Sequence, residues 1–112
     1  MDHIDEYFQE CREIADAIDR VAIANIVDCI STVRSKGGRI FFLGVGGSAA
    51  NASHAVNDFR KLCGIECYAP SDNVSELTAR TNDDGWDTSY SSWLETSQLN
   101  KRDLIFILSV GG

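Results

Sequence analysis

Proline occurs once in this chain of 112 residues, histidine twice, and no two cysteines stand as a Cys-x-x-Cys pair. Each scarcity excludes something. A single proline, Pro70, leaves no proline-rich linker, and no internal repeat or low-complexity segment interrupts the chain. Two histidines and unpaired cysteines do not compose a structural zinc motif. No apolar run is long enough to span a bilayer, and the opening residues MDHIDEYFQE are acidic and amphipathic. They do not resemble a basic leader feeding an apolar segment, so neither a signal peptide nor a membrane partner is expected. A cytoplasmic location follows as the expectation.

Positive charge is scarce as well. Ten Lys and Arg face seventeen Asp and Glu, for a net charge of −7, and the cations are not clustered. A nucleic-acid partner is therefore not expected, because phosphate binding to such a chain would have to overcome net repulsion. The glycine-rich stretch at Gly44 lacks a P-loop lysine, and Ala49 stands where the G-x-G-x-x-G fingerprint requires its last glycine. No nucleotide cofactor is expected.

What remains is ordinary globular material, 44% hydrophobic and 24% charged, enough for one domain. Cys11, Cys29, Cys63 and Cys67 lie inside apolar patterns and read as reduced, buried thiols. Ile4, Phe8, Cys11, Ala15 and Ile18 recur at steps of four and three, as do Ile23, Ile26, Ile30 and Val33, which predicts two leading amphipathic helices. Their apolar faces could cover a sheet or pair with another subunit. A short apolar strand, 39–43, follows, then a helix over 48–63 with a buried stripe of Ala52, Val56, Phe59 and Cys63. A strand at 66–69 completes a strand, helix, strand unit, expected to be parallel.

Beyond Pro70 the pattern predicts a short helix over 73–79 and a polar loop over 81–85. A helix from about residue 87 follows, then a fully apolar and hence central strand over 104–108. The fold class is α/β, a three-layer sandwich with a parallel, nucleotide-fold-like sheet, preceded by two amphipathic helices. Residues 1–36 form the helical leader and 39–112 the first part of the core. The closing LIFILSVGG reads as a buried strand running into a second glycine turn, so 1–112 is expected to be an incomplete fragment, the amino-terminal portion of one domain.

Chemistry concentrates between Ile40 and Gly64. Strand, glycine loop and helix in that order make an anion site, in which Gly46, Gly47 and Ser48 can present backbone N–H groups and a hydroxyl to a phosphate. The alternative is a tight turn with no ligand. Ser109 stands at the end of another strand and could hold the same phosphate. His54 and Asp58, one turn apart, suit general acid–base work, or two ligands of a divalent metal, or a plain surface ion pair. Asp83 in the polar loop is a further candidate, against a simple turn-forming role.

Taken together, these segments resemble the sugar isomerase (SIS) domain, and within it the phosphoheptose isomerases. The resemblance rests on G-x-G-G-S at Gly44 to Ser48, H-x-x-x-acid at His54 and Asp58, S-D-N-V at Ser71 to Val74, N-D-x-G at Asn82 to Gly85, and a strand ending in a serine-glycine turn. It implies isomerisation of sedoheptulose 7-phosphate to a heptose 7-phosphate through an enediol. Ser48 would serve as the phosphate-loop serine, Asp58 as the catalytic carboxylate with His54 beside it, and Asp83 as the acid of the polar loop. It also implies that His54 and Asp58 match Zn2+ ligands of metal-bearing members, and a homotetramer built through the leading helices. This chain differs from the family pattern in carrying Asp58 for glutamate, Val45 for asparagine and Ser109-Val110-Gly111-Gly112 for a hydroxyl-rich turn. A histidine and a glutamine that the family draws from a later helix have no counterpart here. A non-catalytic SIS module that binds a sugar phosphate or a protein partner is the alternative function.

Overall fold

A computed structural model describes residues 2–111 of the chain, with Met1 and Gly112 outside the described residues. Helix α1 spans His3–Ala17 and α2 spans Arg20–Ser35. Each begins at an aspartate whose carboxylate accepts from leading N–H groups, Asp2 from Asp5 at 3.0 Å and Asp19 from Val21 and Ala22 at 3.0 and 3.1 Å. Such a cap satisfies donors that would otherwise lack partners, and is worth about 1 kcal/mol.

Strand β1 (Ile40–Leu43) leads into α3 (Gly47–Cys63), then β2 (Cys67–Tyr68), a 3₁₀ turn at Pro70–Asp72 and α4 (Val74–Asp84). A second 3₁₀ turn, Trp86–Thr88, precedes α5 (Ser89–Thr96) and β3 (Leu104–Ile107). The three strands form one parallel sheet in the order β2-β1-β3, with Phe41 opposite Tyr68 and Ile105. Because successive side chains of a strand point to opposite faces, Phe41 and Phe42 enter different layers. Phe42 meets Phe59 of α3 at 5.3 Å and Phe106 at 5.2 Å between ring centroids, whereas Phe41 meets Trp93 of α5 at 5.8 Å. Both phenylalanines are fully buried, at 0% and 1% exposure, each contributing about 1.5–3 kcal/mol relative to an exposed ring. These contacts make the three layers.

The base of the sheet is held by an ion pair between Arg39 and Asp103. Asp103 accepts from the Arg39 backbone N–H at 2.9 Å, from its Nε at 3.3 Å and Nη2 at 2.9 Å, and from the Asn100 N–H at 3.0 Å. Burial alone would push the Asp103 carboxyl up, but the bonds from Arg39 and Asn100 outweigh it and hold the group below the ordinary carboxylate value.

Several expectations need correction. Strand β3, expected to be central, lies at the edge of the described sheet, and its Ile105 and Ile107 are 39% and 67% exposed. An all-apolar strand declares that it suits burial, not which neighbours it has. Of the polar loop expected at 81–85, residues 81–84 are the last turn of α4: Thr81 donates its hydroxyl back to the Leu77 carbonyl at 2.7 Å, and the helix stops at Gly85. Of the thiols, only Cys67 is buried, and Cys11, Cys29 and Cys63 are exposed. Cys63 is the last residue of α3, next to the Gly64 cap. Helix α1 buries none of its residues, whereas α2 packs against the sheet through Val33, which is buried, and Ile30, which is partly buried.

Candidate functional site

The carboxyl ends of β1 and β3 run level, because the Leu108 N–H donates to the Leu43 carbonyl at 2.9 Å. The turns that follow both strands therefore open into one cleft, of about 910 Å³. Gly44, Val45, Gly47, Ser48 and Asn51 line one wall, and Ile107, Ser109 and Val110 the other. Parallel α/β sheets bind ligands at this end.

The loop's shape follows from its glycines. Gly44 touches the start of α3 so closely that a Cβ there would stand 2.4 Å from the Ser48 carbonyl carbon and oxygen. Gly46 adopts φ 62°, ψ −122°, a left-handed backbone that side chains disfavour. Ser48 and Ala49 then donate their N–H groups to Val45 and Gly46 at 3.2 and 3.0 Å, closing the turn. No side chain caps α3, in contrast to α1 and α2, so its positive end is not neutralised by a carboxylate. No charged residue lines the cleft among the described residues. An anion there would meet the helix start, loop backbone and the hydroxyls of Ser48 and Ser109 rather than a charged side chain.

The remaining predicted residues lie elsewhere. His54 Nε2 is 3.2 Å from Asp58 Oδ2, but neither side chain lines the cleft, and they are 77% and 46% exposed. At a helical rise of about 1.5 Å per residue, His54 is about 9 Å and Asp58 about 15 Å along α3 from Ser48. Asp83 is exposed at the end of α4, where Asn82 Nδ2 donates to its Oδ1 at 3.0 Å. Gly46 shapes the loop without itself lining the cleft. The cleft thus unites Gly47, Ser48 and Ser109, and leaves His54, Asp58 and Asp83 outside its walls. Gly112, at the end of the second turn, lies outside the described residues.

For zinc, His54 and Asp58 offer two donors, and no group of three or more His, Cys, Asp or Glu converges among the described residues. A catalytic zinc takes three protein ligands, so the donors described do not by themselves make a site.

The sequence model of the SIS domain matches residues 6–112. This chain belongs to the SIS domain family. Its curated relatives include proteins named phosphoheptose isomerase from Syntrophotalea carbinolica, 31% identical over 119 residues, and Rhodospirillum rubrum, 30% identical over 118. These alignments cover 97% and 96% of this chain but 59% and 62% of the relatives, so the chain spans under two thirds of their length. A similar protein of that name from Helicobacter hepaticus is 34% identical over 81% of this chain and 48% of its own. In three dimensions the chain resembles the phosphoheptose isomerase GmhA from Neisseria gonorrhoeae, with a TM-score of 0.84 at 23% identity, over 96% of this chain and 57% of that one. That likeness establishes the fold. No helix among the described residues is long and apolar enough to cross a membrane.

Two residues of this SIS cleft escaped the sequence reading. Asn51 shares a helix face with His54, but its position one turn after the loop brings it to the cleft wall. Tyr90 falls within the helix expected from about residue 87 with nothing to mark it, yet it reaches the cleft and donates its hydroxyl to the Gly44 carbonyl at 2.6 Å. Burial raises the Tyr90 phenol pKa, with the neighbouring Ser71 hydroxyl acting weakly in the opposite direction. Nothing in local spacing signals a bond across 46 residues.

Proposed function

We propose that this chain carries the phosphate-holding end, and part of the reacting end, of a phosphosugar isomerase. The reaction would interconvert sedoheptulose 7-phosphate and a heptose 7-phosphate. The observation that carries this reading is the cleft at the ends of β1 and β3, where an uncapped helix start and two serines converge without any charged wall residue. Membership of the SIS family and relatives named phosphoheptose isomerase support it.

The chemistry divides along α3. Loop N–H groups with Gly47, Ser48 and Ser109 would hold the phosphate, and the sugar would lie along the helix toward His54. A seven-carbon chain suits that separation better than a triose. Isomerisation removes a proton from the hydroxyl-bearing carbon beside the carbonyl, and protonates the carbonyl oxygen to give an enediol. The enediol then takes a proton at the former carbonyl carbon and loses one from the other hydroxyl. Asp58 is the carboxylate proposed to carry the carbon-bound proton, with His54 paired to it and serving the oxygens, and Asp83 as a polar contact. Any Zn2+ at His54 and Asp58 would need donors beyond the described residues, so no step is assigned to it. A homotetramer through the apolar faces of α1 and α2, and a cytoplasmic location, belong to the same proposal.

The second reading, a non-catalytic SIS module, is favoured by Val45 and Val110, 63% and 100% exposed on the cleft walls. Incubation with sedoheptulose 7-phosphate, with and without added zinc, separates the two. The proposal predicts aldose formation that Asp58→Asn abolishes. No turnover in either condition, with the sugar phosphate still bound, selects the non-catalytic module.

A further inference from the structure

Beyond Leu43 the chain leaves the ladder that joins β1 to β3, so the carbonyl of Gly44 lies past the last pair of that ladder. Tyr90 donates to it, at 2.6 Å. A carbonyl held in place fixes its whole peptide plane, because the peptide bond is rigid and trans. That plane begins the glycine loop, and Gly44 is itself wedged against the Ser48 carbonyl, where no Cβ would fit. Displacing Gly44 therefore displaces the start of α3.

Tyr90 is braced from behind. Its ring meets the Trp86 ring edge to face at 5.4 Å. Its neighbour Ser89, 2% exposed, has its hydroxyl 3.2 Å from the Gly85 carbonyl and 3.1 Å from the Thr81 hydroxyl, a polar contact between the two helix ends. The first turn of α5 is thus tied to the end of α4, the helix that carries Asp83. The phenol is half-buried and lines the cleft, while its hydroxyl is committed to Gly44.

We propose that Tyr90 is a positioning residue, a clamp that holds the glycine loop in its phosphate-receiving shape through the Gly44 carbonyl. The inference rests on the cleft being a phosphate site. A phenylalanine would fill the same space and keep the Trp86 contact, so the hydroxyl alone performs the clamping. Without it the loop amides sample other orientations, and the ligand must reorder them on binding.

The test compares native protein with Tyr90→Phe by amide NMR, first without ligand and then during titration with inorganic phosphate. Arg39→Lys serves as a control, because it weakens the ion pair at the opposite end of the strands. Expected are faster hydrogen exchange and line broadening confined to Gly46, Gly47, Ser48 and Ala49 in unliganded Tyr90→Phe. Phosphate affinity should fall about fivefold to tenfold, the scale of one hydrogen bond. Arg39→Lys should lower the melting temperature while leaving phosphate affinity and loop exchange unchanged. Loop exchange in Tyr90→Phe equal to native, or an equal phosphate affinity, overturns the clamp. If the loop loosens but native protein binds no phosphate, the clamp stands and the phosphate reading falls.

Discussion

Asp103→Asn is the most informative single test of how the sheet is held. The native carboxylate side chain is 1% exposed and accepts four hydrogen bonds, three of them from Arg39. An amide keeps one acceptor oxygen but turns its NH2 either toward the Arg39 Nη2 and Asn100 N–H, which share Oδ2, or toward the Arg39 backbone N–H and Nε, which share Oδ1, so donor faces donor. Removing one member of a buried ion pair costs about 3–5 kcal/mol. Arg39, with its side chain 21% exposed, can still reach water, which brings the expected loss to about 2–3 kcal/mol. For a domain of this size that corresponds to a fall in Tm on the order of 10–20 °C.

The pH dependence has a definite sign. Asp103 has a folded pKa below its unfolded value, so its contribution is fully present above about pH 4–5 and is lost as pH falls through the folded pKa. Thermal unfolding followed by circular dichroism at pH 7 and at pH 3 should show the native and variant curves converging toward the acid side. A loss under about 3 °C at pH 7, or a gap that stays constant to pH 3, would refute the reasoning.

Further outcomes concern the loop and the thiols. Gly44→Ala should cost about 1–3 kcal/mol and abolish phosphate binding, because the added methyl meets backbone at 2.4 Å that cannot rotate away; melting and phosphate titration check both. His54→Ala should change stability by less than about 0.5 kcal/mol in denaturant unfolding, since the pair it breaks is a solvent-exposed helix pair. Under brief alkylation at pH 7.5, mass spectrometry should find Cys63 modified and Cys67 protected until the protein unfolds. Cys67 is buried, and that burial pushes its thiol up to about 11.

Local pattern made much of this fold legible. The helix stripes, β1 and the loop before α3 depend on residues near one another in sequence, and the α3 start differs from expectation by one residue only. The end of α4 was misread because Thr81 to Asp84 look like turn formers, whereas the helix continues through them to Asp84 and closes where the Gly85 N–H donates to the Thr81 carbonyl at 3.1 Å. What joins distant segments left no local trace. Arg39 and Asp103 stand 64 residues apart, and Tyr90 reaches Gly44 across 46. The edge position of β3 was equally hidden, since composition records suitability for burial and not pairing.

The site divides the same way. Ser48 and Ser109 were identifiable because strand ends and helix starts are local features, and the fold brings both to one cleft. His54 and Asp58 were identifiable as a pair beyond the loop on α3, but that neither side chain lines the cleft emerges only from the structure.

The central claim is that this cleft receives the phosphate of a phosphosugar. Amide NMR of the protein titrated with sedoheptulose 7-phosphate, alongside sedoheptulose without its phosphate, tests it directly. The largest shifts are predicted at Gly46, Gly47, Ser48 and Ser109, with the unphosphorylated sugar producing none at matched concentration. Equal responses to both sugars, or shifts centred away from the ends of β1 and β3, would contradict it.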